Sequence, residues 1–150
     1  MKWNRVFSCL TVSAIYAVAG TLALCAALTA QAQRPAMSAG FNGNWVNVDA
    51  KTRNLVRIVV NGLSVHPFGA CSPTPCDWGV LPAKSSTIQA GTVRREALVA
   101  IHTTKAERNT ITILLDPDGR LNVDVLTHFT DNSGRKDYSV VNTMVRRAAP

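Results

Sequence analysis

The clearest structural signal in this chain is NTITILLDPDGRLNVDVLTHFT, residues 109–130. Apolar and polar residues alternate on both sides of the DPDG segment, and a period of two residues is typical of half-buried strands. Asp, Pro and Gly supply the backbone conformations of a tight turn, so the stretch predicts a β-hairpin. The alternation places Leu121, Val123, Val125 and Phe129 on one face of the second strand.

Similar short runs, separated by turn signals, fill the chain from residue 41 onward. They cover residues 44–49, 55–60, 63–68, 78–82, 94–103 and 138–146. Together with the hairpin they make about eight strands. Tight turns between consecutive strands favour an all-β fold, a single antiparallel up-and-down barrel, because closure removes the exposed edges of a sheet. Residues 83–93 are compatible with a loop, a half-strand or a small helix.

The N-terminal segment predicts export. Lys2 and Arg5 precede an uncharged apolar run that ends at Ala30-Gln31-Ala32, the pattern of a secretory signal peptide with its helical apolar region. We expect residues 1–32 to be the signal peptide, cleaved after Ala32, residues 33–40 to be a flexible lead-in and residues 41–148 to be the barrel domain. The predicted location is secreted or periplasmic.

Two alternatives to cleavage after Ala32 remain open. The apolar run is long enough for an uncleaved membrane anchor, which would be the chain's contact with a membrane. A lipoprotein would use Cys25, although Leu24 precedes it where a small residue is preferred.

Cysteine usage agrees with an exported chain. Cys9 and Cys25 lie in the signal segment, which leaves Cys71 and Cys76 in the sequence CSPTPC. Two cysteines in a short Pro-rich turn of an exported protein predict one local disulfide. Zinc bound by the two thiolates with His66 and Asp77 is the rival interpretation, but the spacing is unlike that of zinc fingers.

The first predicted strand opens with Phe-Asn-Gly-Asn-Trp, residues 41–45. A Gly-x-Trp at this position, in a chain of about eight strands that ends on basic residues, resembles the lipocalin and avidin (calycin-type) barrels. The resemblance implies structural roles for Gly43 and Trp45, with Trp45 closing one end of the barrel. It also implies that Arg146 or Arg147 packs over the indole by a cation–π contact.

The avidin resemblance extends to Asn47, which falls on the position of a ligand-contacting Asn in Gly-x-Trp-x-Asn. Avidins surround biotin with several later Trp residues, whereas this chain has only Trp45 and Trp78 after the signal segment, so biotin binding is not expected. A wider pattern resembles small exported bacterial β-barrel proteins of unassigned function. It runs from WVNVD at residues 45–49 through Thr52-Arg53, Val65-His66 and the cysteine turn ending in CDWG at residues 76–79 to Asp137-Tyr138. That resemblance implies no activity.

The strongest candidate binding region runs from residue 66 to residue 78. It gathers His66, Phe68, Asp77 and Trp78 beside the cysteine turn, and aromatic side chains beside polar groups are what ligands and protein partners contact. The competing interpretation is structural: Trp78 packs at the barrel mouth or on an outer face, and the disulfide holds a surface loop.

Signals for other functions are weak. The three His residues lack metal-ligand spacing, the acidic residues mark no acid–base pair, and no Ser has a nucleophile-elbow sequence, so no enzyme, metal or cofactor is predicted. The formal net charge of +7 comes from scattered basic residues without interleaved aromatics, which argues against nucleic-acid binding.

These observations predict an exported, non-enzymatic binding protein. It would hold a small apolar or amphipathic ligand in the barrel, or a protein partner through the Cys71–Cys76 loop. The alternative is an interaction module such as an inhibitor of a secreted protease. The residues expected to point inward, and so to line or fill the barrel, are Val56, Ile58, Val99, Ile101, Ile111, Ile113, Val123 and Val125.

Overall fold

The computed structural model describes residues 40–147, so the predicted signal peptide and residues 33–39 of the lead-in lie outside the described part. Nine strands follow one another within it. They are β1 (Gly43–Asn47), β2 (Leu55–Asn61), β3 (Ser64–Gly69), β4 (Cys76–Asp77), β5 (Leu81–Ala90), β6 (Val93–Thr103), β7 (Glu107–Leu115), β8 (Leu121–Phe129) and β9 (Tyr138–Arg146). Between residues 40 and 147 there is no helix with the length and apolar character needed to cross a bilayer.

Eight of these strands form a closed antiparallel barrel. Each strand pairs with the next along the chain, except that β3 pairs with both β4 and β5, and β9 returns to pair with β1. The two-residue β4 is an addition to the edge of β3. The prediction of an all-β, up-and-down barrel of about eight strands is therefore confirmed.

The interior of the barrel is filled by apolar side chains. Along β7 and β8 the register pairs Ile111 with Val125 and Ile113 with Val123, and all four side chains are fully buried. The complete set of buried apolar side chains in this cluster is Phe41, Trp45, Leu55, Ile58, Val60, Val65, Ala83, Leu98, Ala100, Ile111, Ile113, Leu121, Val123, Val125 and Met144. Burial of this kind is the main favourable term in folding.

Three of the residues expected to point inward do not. Val56 and Val99 are half-buried, and Ile101 is exposed. On β6 both faces carry apolar residues, and the pairing of Leu98 with Ile113 places the even-numbered residues inside. On β2 a register shift between Leu55 and Arg57 changes the phase of the alternation.

The region after the cysteine turn also differs from the prediction. The strand expected at 78–82 begins at Leu81 and continues to Ala90, so most of residues 83–93 is strand. Gly79 has a φ of 81°, a conformation that interrupts a strand, and it separates Trp78 from β5. Beyond Ala83, β5 pairs with β6 alone and the two strands extend as a ribbon.

Trp45 closes one end of the barrel, which we call the closed end. Its side chain is 0% exposed, and its Nε1 donates a hydrogen bond of 2.8 Å to the carbonyl of Phe41. The Arg146 guanidinium carbon lies 4.3 Å from the centre of the Trp45 ring, in cation–π geometry. Arg146 also donates to the carbonyls of Gly40 and Asn42, so one side chain ties the chain start to the last strand.

Gly43 is required for this arrangement. Its φ is 146°, outside the range that other residues readily adopt, and a Cβ built on it would lie 2.5 Å from Nη1 of Arg146. A side chain at this position would therefore displace the guanidinium from the indole.

We predict that Trp45→Ala destabilises the protein by about 3–5 kcal/mol, because it removes a fully buried aromatic side chain and leaves a cavity at the closed end. Trp45→Phe is the matched control, since it keeps much of the apolar volume and loses the hydrogen bond to Phe41. Urea unfolding followed by circular dichroism measures both. A Trp45→Ala variant that unfolds at the wild-type denaturant concentration would contradict the role given to the indole.

Candidate functional site

The end of the barrel opposite Trp45, which we call the open end, carries four connections between strands. They are residues 48–54, 70–80, 104–106 and 130–137. Because β1 runs away from the closed end, the segment that follows Asn47 lies at this open end, as do the starts of β7 and β9. Connections at one end of a rigid barrel are the usual place for recognition residues.

A layer of polar side chains separates the apolar interior from the open end. Asn142 is 2% exposed, and its Nδ2 donates to Oδ1 of Asn54 at 3.0 Å. Asn47 Nδ2 donates to Oδ1 of Asn142 at 3.1 Å and to the carbonyl of Leu55 at 2.7 Å. The side-chain amides of Asn47, Asn142 and Asn54 therefore join β1, β9 and the residue that precedes β2. Polar groups paired in this way avoid a desolvation penalty when they are buried.

The same layer continues on β7 and β8. The Thr127 hydroxyl donates to Oδ1 of Asn109 at 2.6 Å, and both residues are almost fully buried. Asn109 Nδ2 donates to Oε1 of Glu107 at 3.0 Å, which carries the network toward solvent. The interior thus ends in a hydrogen-bonded polar floor at the open end.

Above this floor lies a cleft of about 590 Å³ between the β1–β2 connection and the first half of β9, which we call the open-end cleft. Apolar and charged groups share it: Val48 and Val141 are 53% and 61% exposed, and Lys51 and Arg53 supply cations. The lining residues are Asn47, Val48, Asp49, Lys51, Thr52, Arg53, Asn54, Tyr138, Val140, Val141, Asn142 and Thr143.

A smaller cavity of about 180 Å³, the mouth pocket, adjoins the cleft through shared residues Arg53, Asn54 and Tyr138. Trp78 lines it and stacks on His102 with ring centres 4.9 Å apart. The indole packs against Gly69, where a Cβ would lie 2.7 Å from its Nε1, so only glycine leaves room for it.

A third group of side chains lies on the outer wall of β2 and β3. The Arg57 guanidinium is 3.7 Å from the centre of the Phe68 ring, and the His66 ring packs against Phe68 with centres 4.3 Å apart. His66 Nε2 lies 2.5 Å from Oδ1 of Asp77. The Asp77 carboxylate also accepts the Gly79 N–H at 2.7 Å.

These hydrogen bonds lower the pKa of the Asp77 carboxyl below its ordinary value, the Gly79 N–H first and His66 second. Each donor stabilises the charged form of the carboxyl. The Asp77 side chain is 58% exposed and His66 is half-buried, so solvent screens the pair, and its contribution to stability is small and depends on pH.

The candidate residues predicted from sequence therefore lie in three places. Asn47 lines the open-end cleft, Trp78 lines the mouth pocket, and His66, Phe68 and Asp77 form the outer-wall group. Asn47 already uses its side-chain atoms within the protein, because its Oδ1 accepts the Asp49 N–H at 2.8 Å.

Cys71 and Cys76 lie at disulfide distance, with 5.3 Å between their Cα atoms, as the cysteine spacing predicts. Residues 70–77 are all exposed, so the bridge ties a surface loop at the rim. Sulfur atoms bonded to each other are not available to a zinc ion as thiolates. In the described part of the chain, no three His, Cys, Asp or Glu side chains come together to hold a metal.

Sequence reasoning missed Asn54, Asn109, Thr127, Asn142 and Tyr138, which form the polar floor and part of the cleft. A signal was present for two of them. Asn109 and Thr127 continue the inward-facing positions of Ile111 and Val125 by steps of two. A polar residue at an inward position marks the point where an apolar interior ends.

No match was found when the chain was compared with models of protein families, with curated proteins and with solved structures. The class of protein is therefore defined by its own geometry: a closed eight-stranded antiparallel barrel with an apolar interior, one end sealed by Trp45, and a cleft at the other end.

We predict that Asp77 contributes to the loss of stability in acid. Because its pKa is lowered in the folded protein, its contribution is present above the ordinary pKa of a carboxyl and is lost as pH falls through the lowered value. Urea unfolding of Asp77→Asn across the acidic range should show a shallower dependence on pH than the wild type. Glu96→Gln, on the β5–β6 ribbon, is the control, and equal slopes for wild type and Asp77→Asn would contradict the prediction.

Proposed function

We propose that this protein is an exported, non-enzymatic binding protein of calycin type, and that it binds at its open end. The closed barrel and the Arg146–Trp45 contact support the comparison with lipocalins and avidins. The observation that carries the proposal is the open-end cleft, where exposed apolar side chains and two basic residues line about 590 Å³, a volume typical of ligand sites.

The filling of the interior favours the open end over a deep ligand cavity. Large side chains such as Leu55, Ile113 and Met144 are fully buried inside the barrel, and the polar floor of Asn109, Thr127 and Asn142 lies above them. A ligand entering the interior would have to displace close-packed side chains and break paired polar groups. The proposed ligand is therefore small and amphipathic, with an apolar part toward Val141 and an anionic part toward the basic residues.

The disulfide at the rim supports export. Disulfides persist in oxidising compartments outside the cytoplasm, and Cys71 and Cys76 lie at bonding distance. The signal-peptide pattern of residues 1–32 supports the same location.

We expect the exported protein to begin at Gln33 and to have an intact mass two hydrogens below that of the reduced chain. N-terminal sequencing and mass spectrometry of the non-reduced protein from the periplasm or medium measure both properties. Reduction is the control for the mass difference. A chain that keeps Met1 and remains with membranes would instead support an anchor.

The cleft can be tested with an amphipathic anion, 1-anilinonaphthalene-8-sulfonate. We expect its fluorescence to rise on binding to the folded protein, and we expect the double variant Lys51→Glu/Arg53→Glu to weaken binding by roughly tenfold, since two cations become anions. Lys84→Glu/Arg94→Glu, on the β5–β6 ribbon, is the matched control, because it makes the same change in net charge away from the cleft. Thermal unfolding checks that each variant is folded.

A second probe separates the cleft from the interior. Parinaric acid is a long apolar chain that fluoresces in a dry cavity, and a filled barrel should not bind it at one equivalent. Stoichiometric binding that is unchanged by Lys51→Glu/Arg53→Glu would show that the interior, rather than the cleft, is the site.

The alternative, an inhibitor of a secreted protease, draws support from the Cys71–Cys76 loop. Its residues are exposed and tied at the base, as a loop that enters an enzyme must be. For this alternative, Cys71→Ser/Cys76→Ser should abolish inhibition of a protease such as subtilisin, while Lys51→Glu/Arg53→Glu should leave it intact.

A further inference from the structure

We propose that the open-end cleft receives an extended acidic segment of a partner protein, which adds as a strand to the edge of β9. This inference rests on the proposed function and names its ligand class as a peptide. Strand addition of this kind derives affinity from main-chain hydrogen bonds and specificity from alternate side chains.

The edge arises because β1 is shorter than β9. The two strands pair from Trp45 opposite Arg146 to Asn47 opposite Met144, and the Val48 N–H donates to the carbonyl of Thr143 at 3.0 Å. From there the chain leaves β9 and forms the outer side of the cleft. The first half of β9 therefore pairs with β8 on one side and borders the cleft on the other.

The register shows which backbone groups face the cleft. The Thr143 carbonyl accepts the N–H of Val48, the residue after β1, and the Arg147 N–H donates to the carbonyl of Asn44 at 2.8 Å. In an antiparallel strand, residues two apart direct their N–H and C=O groups to the same side. Ser139 and Val141 therefore direct theirs away from β8 and toward the cleft side.

Those groups lack protein partners. Within residues 40–147, no hydrogen bond reaches the backbone N–H or C=O of Ser139 or Val141 from the β1–β2 connection or from any side chain. An unpaired strand edge is a template for another strand. Two residues with both groups available offer up to four main-chain hydrogen bonds to an extended peptide.

Side chains at the edge indicate the composition of the segment. Val48 and Val141 are the exposed apolar neighbours on the outer face, so an apolar residue of the segment would pack there. Lys51 and Arg53 form no salt bridge in the described part of the chain. Asp49 lines the cleft beside them, Glu107 lines the mouth pocket that Arg53 also borders, and the Asp124 carboxylate is occupied by the Ser139 hydroxyl. An acidic residue on the segment would compensate these cations.

A second copy of the chain is a less suitable occupant. The β1–β2 connection lies where the wall of a neighbouring barrel would have to approach β9, so the cleft admits a strand more readily than a barrel. Two copies facing each other at this edge would also bring the Lys51 and Arg53 side chains of one copy close to those of the other, and these cations would repel one another.

The test uses a fluorescent peptide, acetyl-Thr-Val-Glu-Val-Glu-Val-amide, and the same peptide with every backbone nitrogen methylated. Methylation removes the N–H donors on both edges of the extended peptide, so neither edge can pair fully with β9, and it keeps every side chain. We expect anisotropy titrations to show binding weakened by roughly tenfold or more for the methylated peptide, the loss of two or more hydrogen bonds. We also expect hydrogen exchange of the Ser139 and Val141 amides to slow when the unmethylated peptide is bound.

The matched protein variants are Val141→Pro and Val141→Thr. Proline removes the N–H on the cleft side without removing a ladder bond to β8, whereas threonine keeps it. We expect Val141→Thr to weaken peptide binding by a small factor, because it reduces the apolar contact in the cleft. We expect Val141→Pro to weaken binding by roughly a further fivefold or more, because it also removes a main-chain hydrogen bond. Should Val141→Pro fail to fold, the methylated peptide still decides the question on the wild-type protein.

Equal binding of the two peptides, no binding of either, or concentration-dependent dimers that slow exchange at Ser139 and Val141 without peptide would each overturn this inference. A different result would contradict the proposed function: an affinity for 1-anilinonaphthalene-8-sulfonate that is the same in the wild type and in Lys51→Glu/Arg53→Glu. A cleft that binds the sulfonate and rejects the peptide would keep the function and remove the strand addition.

Discussion

The pairing of the last strand with the first is the constraint on which this structure depends. Trp45 lies on β1 opposite Arg146 on β9, so the two strands meet where the largest apolar side chain and its cationic cover also meet. The guanidinium then binds backbone carbonyls of residues 40 and 42, which hold the chain start across the closed end. Closure therefore brings the last strand beside the first and seals one end of the interior, and the open-end cleft lies at the opposite end.

The interior obeys a second constraint, which is the change from apolar to polar side chains along each strand. Ile111 and Val125 are neighbours in the barrel, and the next inward pair is Asn109 with Thr127. Their hydrogen bond of 2.6 Å lets polar side chains occupy buried positions. With the polar floor, the barrel has an interior of buried apolar side chains and also hydrogen-bonding groups at its open end.

The fold could be predicted from the sequence because local signals agree with one another. Alternation in residues 109–130 and the turn residues that follow each run predict about eight antiparallel strands. The resemblance of Gly43-Asn44-Trp45 to the calycin motif predicts which end of the barrel is closed. The inward faces of β2 and β6 could not be predicted in full. Both strands carry apolar residues on two faces, and a register shift at Leu55 changes the phase of β2.

The candidate site was predictable only in part, because it depends on strand lengths rather than on motifs. His66, Phe68 and Asp77 are close in sequence and do meet, but on the outer wall and away from the cleft. Tyr138 and Val141 contribute to the cleft because β9 begins well before β1 can pair with it. That offset follows from closure of the whole barrel and has no local signature in the sequence.

One set of hydrogen bonds connects the sealed core with the open cleft. Asn47 ends β1 and binds Leu55 at the start of β2 and Asn142 on β9, while Asn142 also binds Asn54. These bonds anchor both ends of the β1–β2 connection close to the barrel, and the connection between them lines one side of the open-end cleft. The first half of β9, from Tyr138 to Val141, lines the other side. The amides that complete the polar floor thus also hold the cleft open, and stability of the core and access to the strand edge have the same physical origin.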